Sequence, residues 1–222
     1  VVLVAGARRR IDEILDRYGV VCDRRDGVRI STDEAIPFIR MGAFDAANRV
    51  MTALSGEGVN AVIGNWVRAR SRGVIEGVDF LNAGRVDRIH VDMLRGVIEQ
   101  GSIPILPCIG WNAGGRAYNI SSRELATELA MALGASKLFF LSDVDSLTTD
   151  RYELQGVAPG SRISRLDIEQ AEGFLAANEP RPELHDDPGI ELVRLSLRAA
   201  KSGVERVHIV DGRPDGVLLR EI

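Results

Sequence analysis

At 222 residues, 45% hydrophobic and 27% charged, the chain has enough apolar material for one domain with a sizeable core, which excludes disorder, collagen and coiled coil. Lysines and arginines are scattered among a small excess of acids, giving a net charge of -4, so nothing marks a polyanionic partner and nucleic acid is excluded. Two distant cysteines, Cys22 and Cys108, and three histidines, His90, His185 and His208, share no ligand spacing; no disulfide framework and no metal are expected, and a reducing, cytoplasmic setting fits. No run of about 18 apolar residues and no basic leader before an apolar stretch is found, so neither a membrane span nor an address is expected.

In chain order, the apolar run Val1-Val2-Leu3-Val4, ended by Ala5-Gly6-Ala7, suits a strand buried on both faces of a parallel sheet. Such a strand needs neighbours on both sides. Residues 217–222 form another strand-like run, so the expectation is one domain, 1–222, cut at both ends. Further apolar strands are expected at 59–63, 103–109, 137–141 and 206–210. Helices with a 3.6-residue period fall at 9–18, 32–54, 91–100, 122–133, 166–178 and 190–202. This alternation is an α/β signature. Ser121 followed by Glu124 reads as a capping box. The helix from Ile190 sets Ile190, Val193 and Leu197 on one face, with Arg194, Arg198 and Lys201 on another. One segment breaks the pattern: residues 78–81 and 85–89 read as a hairpin turning at Asn82-Ala83-Gly84, able to overhang a sheet edge. Residues 148–188, rich in proline, are where a mobile flap or interface would sit.

Ligands of parallel sheets bind beyond the carboxyl ends of the strands, so the residues just after each apolar run matter most. Gly6, with a helix following, could present free N–H groups to an anion, although a tight turn is the favoured reading. Arg8 would face the same crevice, while Arg9 and Arg10 read as surface. Arg29 could clamp a carboxylate through its planar guanidinium, or be a surface arginine. Asn119 could hold a polar ligand group, with capping of its own turn preferred. Asp143 and Asp145 could organise a cation or phosphate, or serve as turn chemistry. Cys108 has no partner base and reads as buried and inert. His185-Asp186-Asp187 lacks a third spaced ligand and reads as a solvated loop.

These pieces together resemble the amino-acid kinase family, in its acetylglutamate kinase and N-acetylglutamate synthase branch. The resemblance runs through residues 2–12, Gly27-Val28-Arg29-Ile30-Ser31, the stretch from Gly77-Val78-Asp79 to Gly84-Arg85-Val86, Asn119-Ile120-Ser121-Ser122, Leu141-Ser142-Asp143-Val144, and from Ser202-Gly203-Val204 through His208-Ile209 to Leu218-Leu219-Arg220-Glu221. It implies a three-layer αβα sandwich around a mainly parallel sheet, and a homo-oligomer. Kinases of the branch carry consecutive glycines where this chain has Gly6-Ala7-Arg8, which is similar to synthases. They also carry a lysine at the position of Leu192, and a first strand with its own lysine and glycines that is not in this sequence. Phosphoryl transfer depends on such cations, and a leucine supplies none.

The resemblance therefore implies an arginine-responsive, kinase-like domain of an N-acetylglutamate synthase, whose acetyl transfer from acetyl-CoA to glutamate belongs to a domain outside this chain, so that no catalytic residue is expected here. Gly6, Ala7, Arg8, Arg29, Asn119 and Asp143 would form a substrate-like pocket for glutamate or N-acetylglutamate, with Arg29 and Asn119 relics of kinase substrate binding. Glu221 would pair with the guanidinium of an L-arginine effector, and His208 lies on the neighbouring strand. The alternatives are an acetylglutamate kinase using ATP and Mg, which Asp143 keeps open, and an inactive binding or oligomerisation module.

Overall fold

The computed structural model describes residues 1–144 and 146–218. The chain divides into two units, Val1–Leu129 and Ala130–Ile222. The first unit runs β1 (Leu3–Ala5), α1 (Arg8–Tyr18), β2 (Arg24–Arg25), β3 (Val28–Arg29), α2 (Ile36–Gly56), β4 (Ala61–Ile63), β5 (Val67–Ser71), β6 (Val74–Ile75), β7 (Val78–Asp79), β8 (Ala83–Ile89), α3 (Val91–Glu99), β9 (Ile103–Pro107), β10 (Ile109–Trp111) and β11 (Ala117–Ile120). Then α4 (Ser122–Leu133) runs across the division. The second unit continues with β12 (Lys137–Ser142), α5 (Ile168–Asn178), a 3-10 turn at Pro182–Leu184, α6 (Pro188–Lys201) and β13 (Arg206–Asp211).

In the first unit β1, β9 and β4 form a parallel sheet in that order, with Leu3 opposite Ile105 and Ile63 opposite the same residue on the other side. Ala5, Ile105 and Ala47 of α2 are buried together, and Leu3, Val50, Met51 and Leu54 pack against them. A second cluster joins Ala7, Ile11 and Leu15 of the first helix to Ala35, Ile39 and Ala43 at the second, together with Cys108 and Ile109. The two helices come close at Gly42: a Cβ there would lie 2.8 Å from Ile11 Cγ1 and 3.0 Å from Ile11 Cα.

β10, β11, β8 and β5 close into a four-stranded barrel. So few strands leave little room inside, and the sequence meets this with glycine. A Cβ on Gly110 would stand 2.6 Å from both Ala69 Cβ and Ile120 Cδ1, and one on Gly84 would stand 2.5 Å from Tyr118 Cβ. The expected strand 103–109 therefore divides at Cys108, with β9 in the parallel sheet and β10 in the barrel. Pro104 and Pro107 have no N–H to give a ladder, which favours that change of partner.

The expected hairpin turn at Asn82-Ala83-Gly84 is corrected. Ala83 and Gly84 are inside β8, which pairs with β5, and the turn lies at Glu76-Gly77 between β6 and β7. Both turn residues have positive φ, 50° and 79°, as a two-residue turn that follows the strand twist requires. Asp26-Gly27, at 50° and 70°, joins β2 to β3 in the same way. The second helix starts at Ile36 rather than Thr32, whose Oγ1 accepts from the Ala35 N–H at 3.2 Å in a preceding turn. Val217 and Leu218 have helical rather than strand-like backbone, and the rest of that expected strand lies outside the described residues.

In the second unit β12 and β13 pair in parallel over six residues, from Lys137 opposite Arg206 to Ser142 opposite Asp211. Phe174, Leu175, Ile190 and Val193 bring α5 and α6 together over Leu147, Tyr152 and Leu184. Of the face expected to be apolar, Ile190 and Val193 are buried and Leu197 is half-buried, while Arg194, Arg198 and Lys201 are exposed. Parallel strands flanked by helices in both units give the α/β architecture that the alternation predicts.

Candidate functional site

Arg29 is neither a free clamp nor a surface group. It ends the β2–β3 hairpin, its side chain is 6% exposed, and its Nη2 donates to Asp12 Oδ1 of α1. Arg24 Nη2 reaches the same carboxylate, at 2.8 Å and 3.0 Å from its two oxygens. Burial pushes the Asp12 carboxyl up, but the hydrogen bond and charge of Arg29, and then those of Arg24, outweigh it and hold the group below the usual carboxylate value. Burial and then the charge of Arg29 lower Arg24, and Arg8 adds to the repulsion. Two guanidiniums thus share one carboxylate beside a cavity of about 460 Å³ lined by Asp12, Leu15, Cys22, Arg24 and Arg29 among others.

The backbone after Arg29 joins two other segments. Asn82 N–H donates to Ser31 C=O and Asn119 N–H to Asn82 C=O, both at 2.9 Å. Side chains repeat the link: Ser31 Oγ donates to Arg29 C=O at 3.2 Å and accepts from Asn119 Nδ2 at 3.1 Å. Asn82 Nδ2 donates to Asp33 at 2.8 Å, while Arg116 donates to Asn82 Oδ1 at 2.6 Å and to Asp33 at 2.9 Å. Ser31 and Asn82 are buried, so these bonds satisfy groups that would be costly to leave unpaired. The preferred reading of Asn119 as a cap is overturned: it lies within β11 and ties that strand to Ser31. The sequence pointed to Arg29 and Asn119, and the structure brings them together through Ser31. It did not point to Asp12, Asn82, Asp33 or Arg116, whose partners are 12 to 83 residues away.

Gly6 is exposed between β1 and α1; Ala7 is buried in the core, and Arg8 is exposed at the helix start. Ala7 C=O accepts from Ile11 N–H at 2.8 Å, so this junction is an ordinary turn into a helix. The buried Cys108 thiol is pushed up to about 11 by burial, as befits an inert core cysteine. The capping box at Ser121 is half made: Ser121 Oγ accepts from Glu124 N–H at 3.4 Å, but the Glu124 carboxylate pairs with Arg72. The two-sided box is at Asp167 and Gln170, where α5 begins.

In the second unit Asp143 is exposed just past the end of β12. His208 stacks on Phe139, with ring centroids 4.5 Å apart and planes at 11°. Asp145 and Glu221 lie outside the described residues. His185 and Asp186 are exposed, but Asp187 corrects the expectation of a solvated loop. Its side chain is 1% exposed and accepts from Tyr152 Oη at 2.7 Å, Gly189 N–H at 2.8 Å and Ile190 N–H at 3.1 Å, while pairing with Arg151. The first N–H groups of α6 are thus occupied by a carboxylate from the chain itself. Leu192, one turn further along, is fully buried.

The parallel strands and flanking helices, with the polar wall at Arg29 and Asn119, define a protein of the amino acid kinase family, and the chain belongs to that family, whose pattern matches residues 1–211. Among curated relatives, an amino-acid acetyltransferase from Aeromonas salmonicida is 30% identical over 230 residues, covering 100% of this chain and 50% of the relative. One from Shigella flexneri is 28% identical with the same coverage. The chain thus spans about half the length of the curated relatives it matches. Of solved structures, N-acetylglutamate synthase from Neisseria gonorrhoeae complexed with coenzyme A and N-acetyl-glutamate aligns with a TM-score of 0.83 at 27% identity, covering 99% of this chain and 48% of that one. The same synthase complexed with coenzyme A and L-arginine gives 0.82, covering 50% of that chain.

Proposed function

We propose that this chain is the kinase-like, arginine-responsive domain of an N-acetylglutamate synthase, with acetyl transfer from acetyl-CoA to glutamate performed by a domain outside residues 1–222. The observation that carries the reading is Leu192. Phosphoryl transfer needs fixed positive charge around the moving group, and α6 offers a fully buried leucine where kinases of the family place lysine. Asp187 caps the same helix through the Gly189 and Ile190 N–H groups, which are therefore not open to an anion. The residues present therefore do not fit ATP and Mg. Arg29 and Asn119, which the family resemblance matches to substrate-holding positions of the kinases, support this reading as relics, because Arg29 is committed to Asp12.

The test uses the full-length protein. A ligand that binds only the native state raises its melting temperature, by an amount equivalent to about 2.7 kcal/mol at a hundred times Kd. L-arginine is expected to raise the melting temperature and to change the rate at which glutamate consumes acetyl-CoA, while ATP consumption stays independent of N-acetylglutamate. ATP turnover coupled to N-acetylglutamate, or no thermal response to arginine, would sink the reading.

A further inference from the structure

The cavity beside Arg29, about 460 Å³, has the volume of a small-molecule pocket and carries groups of both signs. Arg24 and Arg29 line it, and so do Asp16 and Gly19 at the end of α1. Leu15, Val20 and Cys22 add apolar lining. Of the residues tied to Ser31, Arg29 reaches this space, whereas Asn82 and Asn119 do not line it, so the cavity is separate from the polar wall.

Two guanidiniums and two carboxylates line the cavity, yet they do not cancel in pairs. Asp12 takes Nη2 of both arginines. Arg24 spends that one nitrogen on both oxygens, at 2.8 Å and 3.0 Å, so its Nε and Nη1 donors have no protein acceptor among the described residues. Burial and the charges of Arg29 and Arg8 lower Arg24, as positive charge in excess must. Asp16 has the opposite want: its carboxylate has no ion-pair partner among the described residues, Arg24 included. It lies three residues before Gly19, whose left-handed backbone ends α1 and whose N–H donates to Asp16 C=O at 3.2 Å, so it stands at the negative end of the helix dipole.

A plain anion would answer Arg24 but repel Asp16, and a plain cation would do the reverse. A zwitterion meets both: its carboxylate suits the unused fork of Arg24, and its ammonium suits Asp16 and the helix end. What remains for the rest of the ligand is the apolar lining of Leu15, Val20 and Cys22. We propose that the cavity between the end of α1 and Arg24 binds a free α-amino acid with an aliphatic side chain. This does not depend on the synthase reading.

The test uses the full-length protein with L-leucine as the probe. Cys22 lines the cavity and is half-buried while Cys108 is buried, so alkylation by iodoacetamide, followed at the Cys22 peptide by mass, reads occupancy. L-Leucine is expected to slow that alkylation with a half-effect on the order of 1 mM, since the charges that hold it are partly exposed. N-Acetyl-L-leucine, which lacks the ammonium, and L-leucinamide, which lacks the carboxylate, should protect far less. Asp16→Asn and Arg24→Gln should each raise the half-effect concentration about tenfold while the far-ultraviolet circular dichroism stays unchanged. Equilibrium dialysis with radiolabelled L-leucine needs neither thiol nor variant, so it decides even if a substitution fails to fold: retention at one molecule per chain is expected. No retention, equal protection by either blocked leucine, protection indifferent to both substitutions, or tighter binding of L-glutamate or L-arginine in this cavity overturns the proposal.

Discussion

Asp187 joins four donors around one buried carboxylate: the Tyr152 hydroxyl, the Arg151 guanidinium and two N–H groups of α6. Burial alone would raise its pKa, but the hydrogen bonds from Tyr152 and Ile190 N–H, and then Arg151, bring it below the usual value. Since the folded-state pKa is the depressed one, its stabilisation is fully present above the unfolded value of about 3.9 and is lost as pH falls through the folded value. Asp187→Asn should therefore lose about 2 kcal/mol at pH 7, and the gap to wild type should narrow steadily below about pH 4. Urea midpoints at pH 7 and pH 2.5 check this; a gap of equal size at both would show that charge is not the cause. At this scale the sequence was a partial guide. A residue type shows what a group can bind, as Arg29 did, but not that Asp12, 17 positions earlier, would take it.

The helices were legible because each shows one apolar face over ten or more residues, and all six lie where the period placed them, within a few residues at the ends. The short strands were not. β5 alternates arginine with valine and alanine, β11 is four residues long, and β8 contains a glycine chosen for space rather than for turning. That glycine, Gly84, drew the expected hairpin turn six residues too far along the chain, while Glu76-Gly77 and Asp26-Gly27 went unread. Two helical glycines separate crowding from propensity. Gly42→Ala must push on Ile11 Cα, which is backbone and cannot swing away, so a loss of about 1–3 kcal/mol is expected despite alanine's better helix propensity. Gly96→Ala in α3 meets nothing within 4 Å and should gain about 0.5–1 kcal/mol. Thermal melts of the two variants, compared with wild type, test the pair; a stabilised Gly42→Ala would mean that the two helices slide apart freely.

At the scale of the molecule, each unit has a core of its own. Ile11, Leu15, Ile39 and Ile109 belong to the first, and Phe174, Ile190 and Val193 to the second. Phe174 is fully buried with its ring 5.3 Å from that of Tyr152, so Phe174→Ala should cost about 3–5 kcal/mol. Cooperative opening follows contiguous cores, so the cost should fall on the unit that loses the ring. Amide exchange is expected to speed up in β12, α5 and α6 and to stay unchanged in β1, β4 and β9. The fold pattern alone predicted one domain with one core, in which all these strands would open together. Equal acceleration in β1 and β12 would restore that picture. Acceleration confined to the described residues from Ala130 on would mean that the half bearing Asp187 and Leu192 can loosen while the hydrogen bonds that tie Arg29, Ser31 and Asn119 together in the first unit stay closed.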